Sequence, residues 1–126
     1  MRHNKEIVNH AIDGLVNLNE GVNACDIHHE LFNTDYFIIG YYQSEEFLKR
    51  SEDGIFGAIE IIREYEQSNF GEVNTDFSSS EKVANMYAYI KGEEILNDCP
   101  TIQKKWNEDL TKRDLKKIEK ELNALL

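Results

Sequence analysis

The stretch CDIHHELFNTDYFIIGYY, residues 25–42, decides the fold class of this chain. Its second half is rich in Tyr, Phe and Ile, which favour strands, but these residues do not alternate with polar ones. The sequence offers no second convincing strand as a partner, and a lone strand leaves its backbone groups unsatisfied. Asn33 or Thr34 can cap a helix and Asp35 suits its first turn. We therefore predict a helix that runs from here toward Arg50.

The flanking sequence shows helical periodicity as well. Apolar residues recur at intervals of three and four, and residues suited to helix caps precede several of these stripes. The single proline, Pro100, marks a boundary. We predict an all-α bundle of about five to six helices that ends in a C-terminal amphipathic helix. The expected segments are a helix over Lys5–Leu18 capped by Asn4, a short helix over Asn23–Phe32, a helix over Ser51–Tyr65, one behind a Ser78–Glu81 capping box and one behind a Thr111–Asp114 capping box.

Acidic residues are distributed unevenly along the 126 residues, whose formal net charge is −10. Residues 1–98 hold 19 acidic and 7 basic residues, whereas residues 99–126 hold 5 acidic and 7 basic ones. This shift predicts an acidic helical domain over residues 1–98, followed by a mildly basic helical segment over residues 99–126. The stripe of Leu115, Ile118, Leu122 and Leu125 would either dock this segment on the domain or pair it with a second copy, so the chain would be a monomer or a homodimer.

Strong negative charge bears directly on the possible partners. It repels nucleic acid, whose binding depends on Lys and Arg, and it favours a partner with a basic surface. Acidic side chains along a helix can present a field like that of DNA phosphates, although acidity can also serve solubility alone. The candidate partner-binding residues are two tyrosines and nine acidic residues: Tyr41, Tyr42, Glu45, Glu46, Glu52, Asp53, Glu60, Glu64, Glu66, Glu72 and Asp76.

The cluster DIHHE is the one group of residues that suggests metal chemistry. Asp26, His29 and Glu30 share a helix face, whereas His28 points elsewhere. A metal site needs three or four converging ligands, and no second ligand pair with recognisable spacing occurs in the sequence. A small metal-binding protein built on these four residues is therefore one alternative hypothesis. A homodimeric regulatory scaffold that assembles through the C-terminal segment is the other. Nucleotide-binding and catalytic motifs are also absent from the sequence, so we expect no enzyme and no cofactor.

The N-terminal residues become charged and amphipathic at once, unlike a secretory signal. Two cysteines without such a signal predict reduced thiols and a cytoplasmic location, with no role at a membrane.

Two segments, HELFNTDYFIIG over residues 29–40 and YEQSNFGEVNTDFSSSEKVANMYAYIKGEEIL over residues 65–96, resemble a family of small acidic proteins of phages and mobile elements. The resemblance implies a genomic setting in which such proteins block host defence, by analogy with DNA-mimicking anti-restriction and anti-CRISPR proteins. It supplies no catalytic residues. It implies a non-enzymatic inhibitor that binds the basic surface of a host nuclease or another nucleic-acid-handling defence protein in the host cytoplasm.

Overall fold

A computed structural model of the chain describes residues 3–32 and 54–126. These residues form six α-helices and no strand, which confirms the predicted all-α class. The helix predicted from residue 33 toward Arg50 lies outside the described residues. No helix in the described part of the chain is long and apolar enough to cross a bilayer. The helices are α1 (Lys5–Leu15), α2 (Ala24–Phe32), α3 (Ile55–Phe70), α4 (Ser80–Asn97), α5 (Pro100–Lys104) and α6 (Lys112–Ala124).

Several helix ends follow the capping chemistry of the sequence. Asn4 accepts hydrogen bonds from the backbone N–H groups of Glu6 and Ile7, as predicted for the N-cap of α1. Thr111 and Asp114 form the predicted reciprocal capping box at the start of α6. Pro100 occupies the first turn of α5, where its missing N–H costs nothing.

Other helix boundaries differ from the prediction. Helix α1 ends at Leu15 rather than Leu18. Helix α3 continues past Tyr65 to Phe70, because the left-handed C-cap that stops it is Gly71, with a φ of 73°. Helix α4 begins at Ser80, and Ser78 instead donates its backbone N–H to Asp76 in the preceding turn.

The chain divides into two units, one formed by Met1–Asn33 with Lys91–Leu126 and the other by Thr34–Ile90. The first unit is built from α1, α2, the end of α4, α5 and α6. Within it α6 packs against α1 and α5, and α1 also packs against α2. The predicted division after residue 98 stays a prediction. The core side chains of the first unit include Ile7, Val8, Ala11, Ile27, Phe32, Leu96, Ile102, Ile118 and Leu122, all fully buried.

Backbone pairing also joins two loops of the first unit. The N–H of Gly21 donates to the carbonyl of Leu110, and the N–H of Leu110 donates to the carbonyl of Val22, both at 2.8 Å. Gly21 has a φ of 96°, a conformation that favours glycine, so this residue allows the loop between α1 and α2 to turn toward Leu110.

The described part of the second unit contains α3, the loop over residues 71–79 and the first turns of α4. The inward stripe of α3 includes Ala58 and Ile62, both fully buried, followed by Glu66 one turn later. The loop is attached to α3 by two backbone hydrogen bonds to the Glu66 carboxylate. A buried acidic side chain thus holds the loop on its own helix.

Candidate functional site

One side of α3 combines exposed aromatic rings with carboxylates. Phe56 is 72 % exposed and Phe70 is 60 % exposed, which is unusual for such large apolar side chains. Glu60 and Glu64 follow Phe56 at intervals of four residues and are also exposed. Because residues four apart are neighbours on a helix surface, these side chains share one side of α3. Phe70 follows Phe56 by 14 residues, which is nearly four full turns, so its direction is close to that of Phe56 but at the other end of the helix. We call Phe56, Glu60, Glu64 and Phe70 the α3 face.

The positive charge of Arg63 lies within this region, but it has a partner of its own. The Arg63 guanidinium carbon lies 5.1 Å from the centroid of the Phe77 ring, in a cation–π contact. Phe70 makes an edge-to-face contact with Tyr65, with ring centroids 6.2 Å apart. Both contacts hold side chains of the second unit in place around the α3 face. Residues 54–90 carry six acidic and two basic residues, for a net charge of −4.

The loop after α3 adds two exposed acidic residues that behave differently. Glu72 is exposed, and so is Asp76. Asp76 Oδ2 accepts a hydrogen bond from the Lys82 ammonium at 2.8 Å, and Asp76 Oδ1 accepts one from the Ser78 N–H at 2.9 Å. The hydrogen bond from Lys82 is the main reason that the pKa of Asp76 lies below its usual value. Asp76 is therefore paired with the positive charge of Lys82, so it contributes less to a negative field than its exposure suggests.

Glu66 is the predicted partner-binding residue that does not lie on the surface. Its side chain is only 2 % exposed. Its Oε2 atom accepts hydrogen bonds from the backbone N–H groups of Asn74 at 2.5 Å and Thr75 at 2.9 Å. A buried side chain that is committed to its own loop cannot present charge to a flat partner surface. Glu66 is therefore not part of the α3 face.

A cavity of about 330 Å³ opens beside this carboxylate. It lies between the end of α3, the following loop and α4, and its walls combine two apolar side chains with three polar residues. The lining residues are Glu66, Phe70, Asn74, Thr75 and Met86.

The predicted metal cluster has a structural explanation at two of its positions. Asn23 Oδ1 accepts the Asp26 N–H at 2.9 Å, and Asp26 Oδ2 accepts the Asn23 N–H at 3.1 Å, which is a reciprocal capping box at the start of α2. His28 is buried, with its ring edge-on to Phe32 at a centroid distance of 6.1 Å. His29 and Glu30 are exposed.

The four side chains therefore do not converge: Asp26 caps α2, His28 lies in the interior, and His29 and Glu30 lie on the surface. Within residues 3–32 and 54–126, no three His, Cys, Asp or Glu side chains are grouped so that they could hold a metal ion. The geometry therefore adds nothing in favour of the metal-binding alternative.

The remaining candidate residues of the sequence analysis fall outside the part of the chain that the structure describes. They are Tyr41, Tyr42, Glu45, Glu46, Glu52 and Asp53. The predicted surface is thus represented by Glu60, Glu64, Glu72 and Asp76, all exposed, while the structure adds Phe56 and Phe70.

Sequence reasoning missed these two phenylalanines and the role of Glu66, although the sequence held a signal for both. Phe56 and Phe70 fall outside the apolar stripe of α3, at positions where a helix in water normally carries polar residues. Glu66 follows Ile62 by four residues, so it occupies a position at which the stripe calls for an apolar side chain.

Comparison with known proteins finds no matching family model, no matching curated protein and no matching solved structure.

Proposed function

We propose that the chain is a non-enzymatic binding protein whose α3 face docks on a basic protein surface. The observation that carries this proposal is that Phe56 and Phe70, at the two ends of α3, are 72 % and 60 % exposed, with the exposed Glu60 and Glu64 one and two turns after Phe56. Acidity alone would serve solubility, but two phenylalanine rings held in water are unfavourable unless something covers them.

The two kinds of side chain would contribute different parts of the interaction. Aromatic rings are enriched in the buried centre of interfaces, where they supply most of the binding energy. Carboxylates around them attract a basic partner over a distance and fix its orientation. Glu60 and Glu64 are separated by one helical turn, about 6 Å along the axis. That spacing is on the same few-ångström scale as the phosphates of a nucleic-acid strand.

The partner that best fits this chemistry is a protein whose Lys and Arg side chains hold nucleic acid. Carboxylates of the α3 face would occupy positions that otherwise bind phosphates, so the chain and a nucleic acid would compete for the same surface. The resemblance to small acidic phage proteins favours a nuclease or another defence protein of the host cytoplasm as this partner. The proposed outcome of binding is inhibition by occupation of the nucleic-acid site.

A charge-reversal pair tests the proposal. The chain is used to capture proteins from a host lysate at 50 mM and 500 mM salt, and the captured protein is identified, purified and titrated against the chain. Double replacement Glu60→Lys and Glu64→Lys changes the net charge by four units on the α3 face. The control, Glu20→Lys with Glu30→Lys, makes the same change at two exposed acidic residues of the other unit.

We expect the wild-type Kd to rise on the order of tenfold or more between the two salt concentrations, because screening shortens the range of charge–charge attraction. The α3 variant should lose capture, whereas the control variant should retain it. A DNA duplex should displace the chain from the purified partner. Equal binding by both variants, or a complex that is indifferent to salt and to DNA, would contradict the proposal.

A further inference from the structure

The Glu66 carboxylate is half satisfied. Its Oε2 atom accepts the N–H groups of Asn74 and Thr75. Its Oε1 atom is buried and has no hydrogen-bond partner in the described part of the chain. Buried polar atoms in folded proteins nearly always have a partner, since leaving one unpaired is energetically unfavourable. A buried oxygen that lacks a donor among the described residues is therefore a favourable place for a further donor to bind.

The surroundings of Glu66 favour a particular kind of donor. The cavity of about 330 Å³ beside it has Phe70 and Met86 as apolar walls, and Asn74 and Thr75 as polar lining. Apolar walls suit an alkyl stem, and the ring of Phe70 can also attract a cation. A carboxylate at the end of such a cavity forms its strongest hydrogen bonds with a cationic donor. An anion would meet this carboxylate and a region with net charge −4, so we exclude anionic ligands.

We propose that this cavity takes the cationic end of an arginine or lysine side chain, with its N–H groups donating to Glu66 Oε1. Where that side chain comes from rests on the proposed function: it is one of the basic residues of the partner that docks on the α3 face. Phe70 belongs both to that face and to the cavity wall, so a docked partner lies within reach of the opening.

Entry of the cation requires a local movement. Glu66 Oε1 exposes less than 1 Å² to solvent, so a side chain must move aside before a donor can reach it. Met86 is the more adaptable of the two walls, since an unbranched thioether has three rotatable bonds. Phe70 is already 60 % exposed and can turn outward at the end of α3. We expect one of these two side chains to change position when the cation binds.

Titration with a small probe tests the cavity without any partner. N-acetyl-arginine amide supplies the cation, and N-acetyl-citrulline amide is a neutral control of nearly the same shape. The amide resonances of Asn74 and Thr75 and the methyl resonance of Met86 report on the cavity. We expect saturable shifts of all three with the arginine compound and none with the citrulline compound. Absence of saturable shifts with arginine amide would overturn the proposal.

Variants of matched charge identify the carboxylate responsible. Glu66→Gln keeps an oxygen that can accept the Asn74 and Thr75 N–H groups, so the loop should stay in place while the negative charge is lost. Glu81→Gln removes the same charge at an exposed position of the same unit that lies outside both the cavity and the α3 face. We expect Glu66→Gln to weaken arginine amide binding by about 10- to 100-fold, the range for a hydrogen bond to a charged group. Glu81→Gln should change it by less than about threefold. Circular dichroism should show that both variants are folded, and equal affinities for the two would refute the assignment.

The partner complex then separates this inference from the proposed function. If Glu66→Gln weakens the complex with the captured protein as it weakens arginine amide binding, the cation comes from the partner. If arginine amide binds to the wild type but the complex is indifferent to Glu66→Gln, the claim that the partner supplies the cation is wrong, while the charge-reversal test of the α3 face still stands. If no basic partner is captured but arginine amide shifts the three resonances, the cation site survives and the proposed function fails.

Discussion

Gly92 allows the ring of Phe32 to pack directly on helix α4, and replacing it by alanine should destabilise the protein. A Cβ atom at Gly92 would lie 2.7 Å from Phe32 Cδ1 and closer still to Cγ and Cδ2. Phe32 is fully buried, so its ring has no free space into which it can turn. Cγ is the ring atom nearest the main chain, so it cannot move away from Gly92 unless helix α2 moves as well. Both residues belong to the first unit.

The magnitude follows from two opposing terms. Alanine is a better helix former than glycine by about 1 kcal/mol in a helix interior. Overpacking of a closed core destabilises a protein by about 1–3 kcal/mol. Because the new Cβ would strike three atoms of a rigid ring, we take the upper end of this range, ~3 kcal/mol. The net loss for Gly92→Ala is therefore ~2 kcal/mol. For a urea m-value of about 1.5 kcal/mol/M, the midpoint of unfolding should fall by roughly 1.3 M.

Gly14→Ala is the matched control, because it also replaces a helical glycine in the first unit. Its Cβ would lie 2.5 Å from Leu31 Cδ2 but 3.8 Å from Leu31 Cγ, so only a terminal methyl group has to move. A small rotation of the Leu31 side chain is unfavourable by about as much as the higher helix propensity of alanine is favourable near the end of α1. We therefore expect the free energy of unfolding to change by no more than ~0.5 kcal/mol. Urea unfolding followed by circular dichroism at 222 nm measures both variants.

A double-mutant cycle makes the test specific to the contact. Phe32→Leu removes the ring that Gly92→Ala would strike, so the double variant should be less destabilised than the sum of the single variants by about 1 kcal/mol or more. If Gly92→Ala is as stable as the wild type, or if the two substitutions add independently, Phe32 does not pack on Gly92 as described.

Three further predictions concern thiol reactivity, pH and helix capping. In the native state a thiol reagent such as DTNB should titrate Cys25, which is exposed, and spare Cys99, because burial raises the pKa of the Cys99 thiol to about 12; rapid reaction of two thiols would refute this. Burial lowers the pKa of His10 below its usual 6.5, so the unfolded chain binds a proton at this residue more readily than the folded protein does. The contribution of neutral His10 to the free energy of unfolding should therefore be present above pH 6.5 and be lost as the pH falls. Urea midpoints at pH 7.5 and 5 should differ more for the wild type than for His10→Gln, and equal differences would contradict the assignment. Thr111→Ala should cost about 1 kcal/mol of unfolding free energy by removing the cap of α6, whereas Thr111→Ser should restore most of it.

The helices could be predicted where the signal is local. A cap needs only a side chain and the N–H groups two or three residues away, so Asn4 and the Thr111–Asp114 pair could be identified from spacing alone. Ends without a side-chain cap were harder to place. Helix α3 passes through three polar or aromatic residues after Gln67 before Gly71 stops it, and those residues are as compatible with a helix as with a loop.

The role of Glu66 could not be predicted, because it depends on residues that the chain brings back from a loop. The two N–H groups that it accepts lie eight and nine residues further along the chain, at Asn74 and Thr75. Periodicity shows that position 66 faces inward, but it does not show which backbone groups will meet the carboxylate there. A count of acidic residues treats this side chain as surface charge, although it is a hydrogen-bond acceptor in the interior.

Four of the described acidic residues of the second unit therefore have three different roles, and the difference bears on the proposed binding surface. Glu66 holds a loop through hydrogen bonds, and Asp76 forms an ion pair with Lys82. Glu60 and Glu64 are exposed to solvent on the helix that also carries the two exposed rings. Solubility requires only charge, and charge is most effective for that purpose where no apolar surface is nearby. Two exposed phenylalanines do not make an acidic surface more soluble. In a complex, however, their rings would exclude water from the contacts between carboxylates and a bound cation. The proposal of a basic partner therefore rests on the combination of ring and carboxylate rather than on the net charge of −10.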